Sequence, residues 1–255
     1  MKKIKKPNFL EWNSNVLLDS LRRIDSNFFL IVFLDSLFYA LSGLIIALWF
    51  QRVISRLYSF QLPSDIISLG YDRAQQLVKD VRLFYILLIV SFVLLLLAII
   101  FIASILKGII WAKTTKTKIT LALVSKFLAL NLIWMGFWLV LIVLMPVLLE
   151  PTISTFAIGI AIIISLYLTN TLYTFFMKEQ KLGKMLKAIA FNASKIHFFL
   201  LPYSIIILLF ILVVKASSLV KFNYSPIFTS LLIVIFAALV RYYHSALVIE
   251  IEKQK

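Results

Sequence analysis

Six long apolar stretches, separated by connections rich in Lys and Arg, constrain the fold of this chain more than any other feature. We place them at residues 28–50, 83–106, 127–149, 152–177, 198–215 and 226–249. A helix rising 1.5 Å per residue needs roughly 20 residues to cross a bilayer. The mean hydropathy of +1.02 and the hydrophobic share of 62% exceed the roughly 45–50% apolar content of soluble domains. The chain is therefore predicted to lie in a membrane.

Backbone groups inside a bilayer have no water to bond, so each stretch is predicted to be a helix. We expect an all-α, polytopic integral membrane protein with one domain over residues 1–255. Residues 1–27 are a basic arm followed by an interfacial helix. The third and fourth stretches are joined by Glu150–Pro151, a turn so tight that they must form an antiparallel hairpin. The six spans are thus predicted to form three hairpins.

The distribution of basic residues predicts the orientation. Lys and Arg concentrate in the N-terminal segment, in residues 107–126, in residues 178–195 and towards the end of the chain. The opposite side holds only Arg52, Arg56, Arg73, Lys79, Arg82, Lys215 and Lys221. Because basic connections stay on the cytoplasmic side, both termini are predicted to be cytoplasmic, in a cell membrane.

Each hairpin is predicted to follow a cytoplasmic amphipathic helix that lies in the headgroup layer. The helical spacing is clear for Leu17, Leu21, Ile24 and Phe28 and within residues 181–195, and less clean within residues 113–126. Lysines beside these apolar faces are expected to contact anionic lipid headgroups. They are Lys113, Lys116, Lys118, Lys181, Lys184 and Lys187.

Polar residues inside the spans lie at similar depths in the predicted cytoplasmic half. They are Asp35, Asn131, Asn170, Tyr203, Ser204, Arg241 and His244. A central Asp or Arg costs ~2.5–3.5 kcal/mol on insertion scales, so each needs a reason. We hypothesise a polar layer in which Asp35 pairs with Arg241 and His244 lies nearby. The layer could fix helix packing, line a ligand or ion cavity, or use Asp35 and His244 in acid–base catalysis.

The first span also carries a stripe of small residues, Ser36, Ala40, Gly43 and Ala47. Their spacing places them on one helix face, where small side chains allow close helix approach. The stripe is expected to pack against a neighbouring span of the same chain. Homodimerisation through this face is the alternative.

Several enzyme classes are excluded by what the sequence lacks. It has no cysteine and only two histidines, His197 and His244, so no thiolate chemistry and no metal site are expected. It also lacks nucleotide-binding and common hydrolase motifs. The basic residues flank apolar segments rather than forming a polar domain, which argues against nucleic-acid binding. We expect no enzyme activity and no cofactor.

Two segments carry a loose family resemblance: KMLKAIAFNASK at residues 184–195 and RYYHSAL at residues 241–247. With the triple-hairpin organisation, the chain resembles the six-helix membrane domains related to the glycerophosphodiester phosphodiesterase membrane anchor. The resemblance implies a membrane-embedded module without its own hydrolase and assigns no catalytic residue.

The sequence therefore predicts a non-catalytic membrane module that binds lipid, a membrane-protein partner or a second copy. The alternative is a small permease or carrier with a polar site in the cytoplasmic half of the protein.

Overall fold

A computed structural model describes residues 9–60, 71–180, 197–219 and 225–253. These residues form seven helices: α1 (Phe9–Arg22), α2 (Asn27–Tyr58), α3 (Tyr71–Thr114), α4 (Leu121–Leu148), α5 (Pro151–Glu179), α6 (His197–Leu219) and α7 (Ser225–Glu252). No strand occurs within the described ranges. The all-helical prediction is confirmed for this part of the chain.

Five of these helices, α2 to α5 and α7, are long and apolar enough to cross a membrane. In α6, the apolar stretch Pro202–Ala216 is shorter. The spans are longer than predicted, because α2 has 32 residues and α3 has 44. At 1.5 Å per residue, α3 measures about 66 Å, well beyond the ~30 Å hydrocarbon core.

The chain separates into two compact units. The larger unit contains Met1–Ser36 and Ser104–Lys255, and the smaller unit contains Leu37–Ala103. In the smaller unit, the indole of Trp49 on α2 donates a hydrogen bond to the Ser91 hydroxyl of α3 at 3.1 Å. The Trp49 ring also contacts Phe92.

Three apolar clusters form the core of the larger unit. The first joins the ends of α3 and α5 to the start of α4, around Trp111, Phe127 and Phe176. The second joins α1, α5, α6 and α7, and the third joins the start of α2 to α3 and α7. Each of the three uses residues from the C-terminal halves of two of the helices α3, α5 and α7. At the opposite end of α4 and α5, Val147 and Phe156 are exposed.

Close packing between α3 and α4 depends on Gly108. A Cβ at this position would lie 3.2 Å from Cδ1 of Phe127, whose ring is fully buried. The missing side chain allows the ring to rest directly on the α3 backbone.

The first predicted amphipathic helix corresponds in part to α1, which carries Leu17 and Leu21 but ends at Arg22, before Ile24 and Phe28. Leu17 and Leu21 are 44% and 49% exposed, while Val16 and Ser20 are buried. The helix packs against α7, and Val16 belongs to the second core cluster. The leucines therefore occupy the outer surface of α1, where an apolar side chain could contact lipid.

The predicted separate helix within residues 113–126 is also wrong. The apolar run 109–112 extends α3 past Leu106 to Thr114, and Lys116 then takes a left-handed conformation with φ 56°. The next helix begins at Leu121, with the Thr120 hydroxyl accepting a hydrogen bond from the backbone N–H of Leu123. A short turn joins α3 to α4.

The small-residue stripe on α2 is largely exposed. Ala40, Gly43 and Ala47 are exposed, Ser36 is partly buried, and no atom lies within 4 Å of a Cβ built on Gly43. The expected packing of this stripe against another span is not seen among the described residues. The predicted interfacial helix over residues 181–195, with Lys181, Lys184 and Lys187, lies outside the described residues.

Candidate functional site

The polar residues predicted to form one layer separate into three clusters within the larger unit. We name them by composition: the charged cluster (Asp35, Lys107, Arg241), the asparagine cluster (Ser104, Asn131, Tyr173) and the histidine cluster (Asn170, Thr171, Tyr203, His244). Each cluster joins different helices.

The charged cluster centres on Asp35 of α2, which is 0% exposed. Arg241 of α7 donates two hydrogen bonds to it, from Nη1 to Oδ2 at 2.8 Å and from Nη2 to Oδ1 at 3.2 Å. Lys107 of α3 donates from Nζ to Oδ1 at 2.5 Å. Two cations thus share one carboxylate, and the guanidinium is bidentate, the geometry that gives the strongest pairs.

Apolar packing places these three charges together. Ile31, Ile110 and Ala238 form the third core cluster with Tyr242. Ile31 lies four positions from Asp35, Ile110 three from Lys107, and Ala238 three from Arg241. Each pair is therefore one helical turn apart on the same helix face. Contact among the apolar residues therefore brings Asp35, Lys107 and Arg241 together one turn away.

Trp111 completes the surroundings of the charged cluster. The guanidinium carbon of Arg241 lies 5.7 Å from the centre of the Trp111 ring, within the range of a cation–π contact. The Arg241 side chain is 9% exposed and that of Lys107 is 16% exposed. Both cations are thus largely removed from solvent and depend on Asp35 for neutralisation.

The asparagine cluster joins α3, α4 and α5. Asn131 is fully buried, and its amide nitrogen donates to the Ser104 hydroxyl at 3.0 Å. The Tyr173 hydroxyl donates to the Asn131 amide oxygen at 2.5 Å. Both ends of the amide are bonded, which fixes its orientation.

The histidine cluster joins α5, α6 and α7. His244 is 1% exposed, with Nε2 lying 3.1 Å from the Thr171 hydroxyl and Nδ1 lying 2.9 Å from the Tyr203 hydroxyl. The rings of Tyr167 and Phe199 also contact the imidazole. The Asn170 side chain hydrogen-bonds to Tyr203.

These bonds have one consistent direction. The Thr171 hydroxyl donates its single proton to the Tyr167 carbonyl at 3.0 Å, so it must accept from Nε2–H of His244. Nδ1 of the neutral ring then accepts from the Tyr203 hydroxyl. Tyr203 in turn accepts from the Asn170 amide. The cluster is a one-way chain of hydrogen bonds that ends on a backbone carbonyl.

The structure thus places six of the seven predicted layer residues in these clusters. Asp35 and Arg241 contact each other, whereas His244 bonds to a different set of partners. Ser204 is exposed and belongs to none of the three clusters. Among the predicted headgroup lysines, Lys116 and Lys118 are exposed, and Lys113 is partly buried.

Sequence reasoning missed Lys107, Ser104, Thr171 and Tyr173. A second span that ends at Leu106 places Lys107 in the cytoplasmic connection of residues 107–126. The signal was present, since residues 108–112 continue the apolar run directly after this lysine. The hydroxyl residues have no comparable signal, because Ser and Thr are common in membrane helices without a polar partner.

The arrangement ties helices together and leaves the polar groups of each cluster bonded to one another. Among the described residues, no group of three or more His, Asp and Glu is placed to hold a metal ion. No protein-family model matches the chain, and neither curated proteins nor solved structures gave a match. The family resemblance therefore stays a prediction from the sequence.

Proposed function

We propose that this chain is a non-catalytic integral membrane module that binds anionic lipid and organises membrane partners. Burial of the polar clusters carries this proposal. Asp35 and Asn131 are fully enclosed and His244 is nearly so. Because their polar groups bond to one another, the clusters favour structural ties between helices over an open binding cavity. The exposed basic residues Lys116 and Lys118 then supply the surface for anionic headgroups.

The proposal includes six spans arranged as three hairpins, with α6 as the fifth, and both termini in the cytoplasm of a cell membrane. Five long apolar helices support the multi-pass architecture. An even number of spans places α1 and the end of α7 on the same side of the membrane. An odd number would place them on opposite sides.

Cysteine labelling tests both the six-span topology and the closed state of the polar clusters, because the chain contains no cysteine of its own. Ser14→Cys on α1 and Lys253→Cys after α7 change exposed residues. We expect a membrane-impermeant maleimide to label both in inside-out vesicles and neither in intact cells. Labelling of the two positions from opposite sides would contradict the six-span arrangement.

The closed state of the clusters is tested by Ser104→Cys and Thr171→Cys, which replace small, fully buried side chains. Lys118→Cys in the exposed turn before α4 is the matched accessible control. We expect rapid labelling at position 118 and none at 104 or 171 until the protein is denatured in dodecyl sulfate. Rapid labelling at 104 or 171 in folded protein would contradict the proposal.

A small permease or carrier is the second candidate, and the charged cluster favours it. Two cations share one carboxylate, and the Lys107 side chain keeps some exposure. Buried ionisable residues of this kind occur on transport pathways. Labelling of Ser104→Cys or Thr171→Cys from the cytoplasmic side alone would favour this function over the module.

A further inference from the structure

A cavity of about 250 Å³ lies in the larger unit, at the end where α3 and α7 finish. It is lined by Arg23, Thr114, Thr115, Lys116, Tyr242 and Ser245. Its volume is below the roughly 300–1,000 Å³ of pockets for drug-sized ligands. The cavity suits one small polar group.

Besides Thr114 and Thr115, four lining residues carry hydrogen-bond donors: Arg23, Lys116, Tyr242 and Ser245. The Thr114 and Thr115 hydroxyls donate to the backbone carbonyls of Ile110 and Trp111, so their protons are already used. Arg23 and Lys116 contribute positive charge, and the Lys116 side chain is 66% exposed. The remaining two donors are the hydroxyls of Tyr242 and Ser245.

The Tyr242 hydroxyl is the most informative feature of the cavity. The residue is buried, its ring contacts Phe28, and its hydroxyl has no hydrogen-bond partner. Buried hydroxyls without a partner are rare, because an unmade hydrogen bond costs free energy. Tyr242 is one of the residues that line this basic cavity, and a buried hydroxyl left without a partner there points to an acceptor that belongs to a ligand.

The backbone holds Lys116 at the cavity. Its φ of 56° is left-handed, and the backbone N–H of Thr117 donates to the Ala112 carbonyl at 2.8 Å. This pattern closes a helix and normally places glycine at the left-handed position. Glycine adopts this left-handed backbone conformation more easily than lysine does. Lys116→Gly therefore removes the side chain and keeps the turn.

We propose that this cavity binds a phosphate group, with Arg23, Lys116 and the Tyr242 hydroxyl as its donors. The proposal rests on the proposed lipid-binding function and deepens it by naming the headgroup site. Charged donors and phosphate oxygens form strong hydrogen bonds. Asp25 is the competitor, because its carboxylate lies 3.5 Å from Nζ of Lys116.

The phosphate could belong to a lipid headgroup or to free phosphate, and titration distinguishes the two sources. The full chain in dodecyl maltoside is titrated with dioctanoyl phosphatidic acid, inorganic phosphate or dioctanoylglycerol, and its thermal unfolding midpoint is followed. We expect a saturable rise with phosphatidic acid and none with dioctanoylglycerol, which lacks the phosphate. An equal rise with inorganic phosphate at similar concentrations would support the site and assign it to soluble phosphate.

Paired variants separate this site from general basic attraction. Arg23→Gln is expected to weaken the apparent affinity for phosphatidic acid about tenfold. Arg22→Gln removes the same charge from the neighbouring position, whose side chain is 80% exposed and outside the cavity. Arg22→Gln should leave the affinity within about twofold, since exposed charges are screened by salt. Equal losses in both variants would overturn the proposal.

Tyr242→Phe and Lys116→Gly separate binding from folding. Tyr242→Phe removes an unpartnered hydroxyl and Lys116→Gly relaxes a left-handed residue, so neither should lower the unfolding midpoint without lipid. Both should weaken phosphatidic acid binding severalfold. Asp25→Asn should strengthen it, because Lys116 is released. Unchanged affinity in Tyr242→Phe, as expected if the hydroxyl only meets water, would overturn the proposal.

The outcome is distinguishable from failure of the proposed function. Stabilisation by phosphatidic acid that is equal in all five variants would overturn the phosphate site and leave a lipid-binding module standing. Rapid labelling of Ser104→Cys or Thr171→Cys would overturn the closed module whatever the titrations show.

Discussion

The charged cluster and the histidine cluster both use α7, at Arg241 and His244, yet different interactions hold them together. The charged cluster has one carboxylate bonded to two cations on two other helices. The histidine cluster contains no paired charges and consists of hydrogen bonds from Asn170 through Tyr203 and His244 to Thr171. One turn of α7 therefore carries an ionic tie and a neutral one.

The two clusters are expected to differ in how much free energy each contributes to holding α7 in place. Removing one partner of a buried ion pair leaves an uncompensated charge and typically costs about 3–5 kcal/mol. Hydrogen bonds between membrane helices average about 0.6 kcal/mol, with a maximum near 1.7. The charged cluster should therefore dominate stability, and the histidine cluster should mainly fix the orientation of α5, α6 and α7.

The largest effect is expected for Asp35→Asn, because it leaves both Lys107 and Arg241 without their carboxylate. We expect a loss of about 3–5 kcal/mol in unfolding free energy, seen as a large fall in the thermal midpoint and in folded yield. Arg241→Met and Lys107→Met are the matched variants, since each leaves one balanced pair with Asp35.

The order of these variants is the test. Asp35→Asn should be more destabilising than either methionine variant, because it leaves two uncompensated cations rather than none. A methionine variant that destabilises as much as Asp35→Asn would show that Asp35 is not shared between the two cations, and would break the distinction drawn between the clusters.

A smaller effect is expected for Thr171→Val in the histidine cluster. The change keeps the shape of the side chain but removes the acceptor of Nε2–H of His244, with a loss of roughly 0.6–1.7 kcal/mol. Ser230→Ala is a suitable control, because that exposed hydroxyl bonds only within its own helix, to the Pro226 carbonyl. Unfolding midpoints of the purified proteins in detergent measure both. A loss above that of Arg241→Met would reverse the ranking of the clusters.

The direction of the hydrogen-bond chain predicts the tautomer of His244. Because the Thr171 hydroxyl donates its proton to a backbone carbonyl, it can only accept from His244, so the proton of the neutral ring lies on Nε2 and Nδ1 accepts from Tyr203. Nitrogen chemical shifts of ¹⁵N-histidine protein at pH 7 report this directly. With only two histidines in the chain, His197→Gln assigns the signals. A signal from the Nδ1–H tautomer at His244 would refute the direction of the chain.

The sequence predicted the class of the fold because hydropathy acts over whole segments. It also indicated Asp35, Asn131, Arg241 and His244 as residues that needed partners, since each is costly inside a membrane span. It could not pair His244 correctly, because Arg241 and His244 lie only three positions apart. A rotation of about 60° around α7 decides which helix each one meets.

Lys107 shows where reasoning from single segments fails, and α1 shows what such reasoning leaves undecided. A lysine that follows an apolar run is taken for part of a connection unless the apolar residues after it are counted as part of the same helix. In α1, leucines and the buried Val16 share a short helix, and only the contact with α7 determines which face is covered. Sequence periodicity predicts that a helix has an apolar face, and contacts between distant segments determine which face is covered by the rest of the protein.

The smallest effect is expected at Asp25, a half-buried counterpart of the fully buried Asp35. It accepts hydrogen bonds from the backbone N–H and side chain of Asn27 at 3.0 and 3.1 Å, and it pairs with Lys116. Burial alone would raise the pKa of Asp25, but the bonds from Asn27 and Lys116 outweigh it and hold this pKa below its ordinary value of 3.8. Because the folded-state pKa is lowered, the stabilisation is present above the unfolded-state pKa.

That stabilisation is therefore lost as the pH falls through the lowered pKa of Asp25. Asp25→Asn should cost less than about 1 kcal/mol at pH 7, as for other exposed pairs. Its difference from the natural protein should shrink as the pH is lowered below about 3.8. Unfolding midpoints measured from pH 7 to pH 3 give this difference, with Asp19→Asn as the control in a second exposed pair. A difference that persists undiminished at the lowest pH would show that Asp25 stabilises the turn by its shape rather than by its charge.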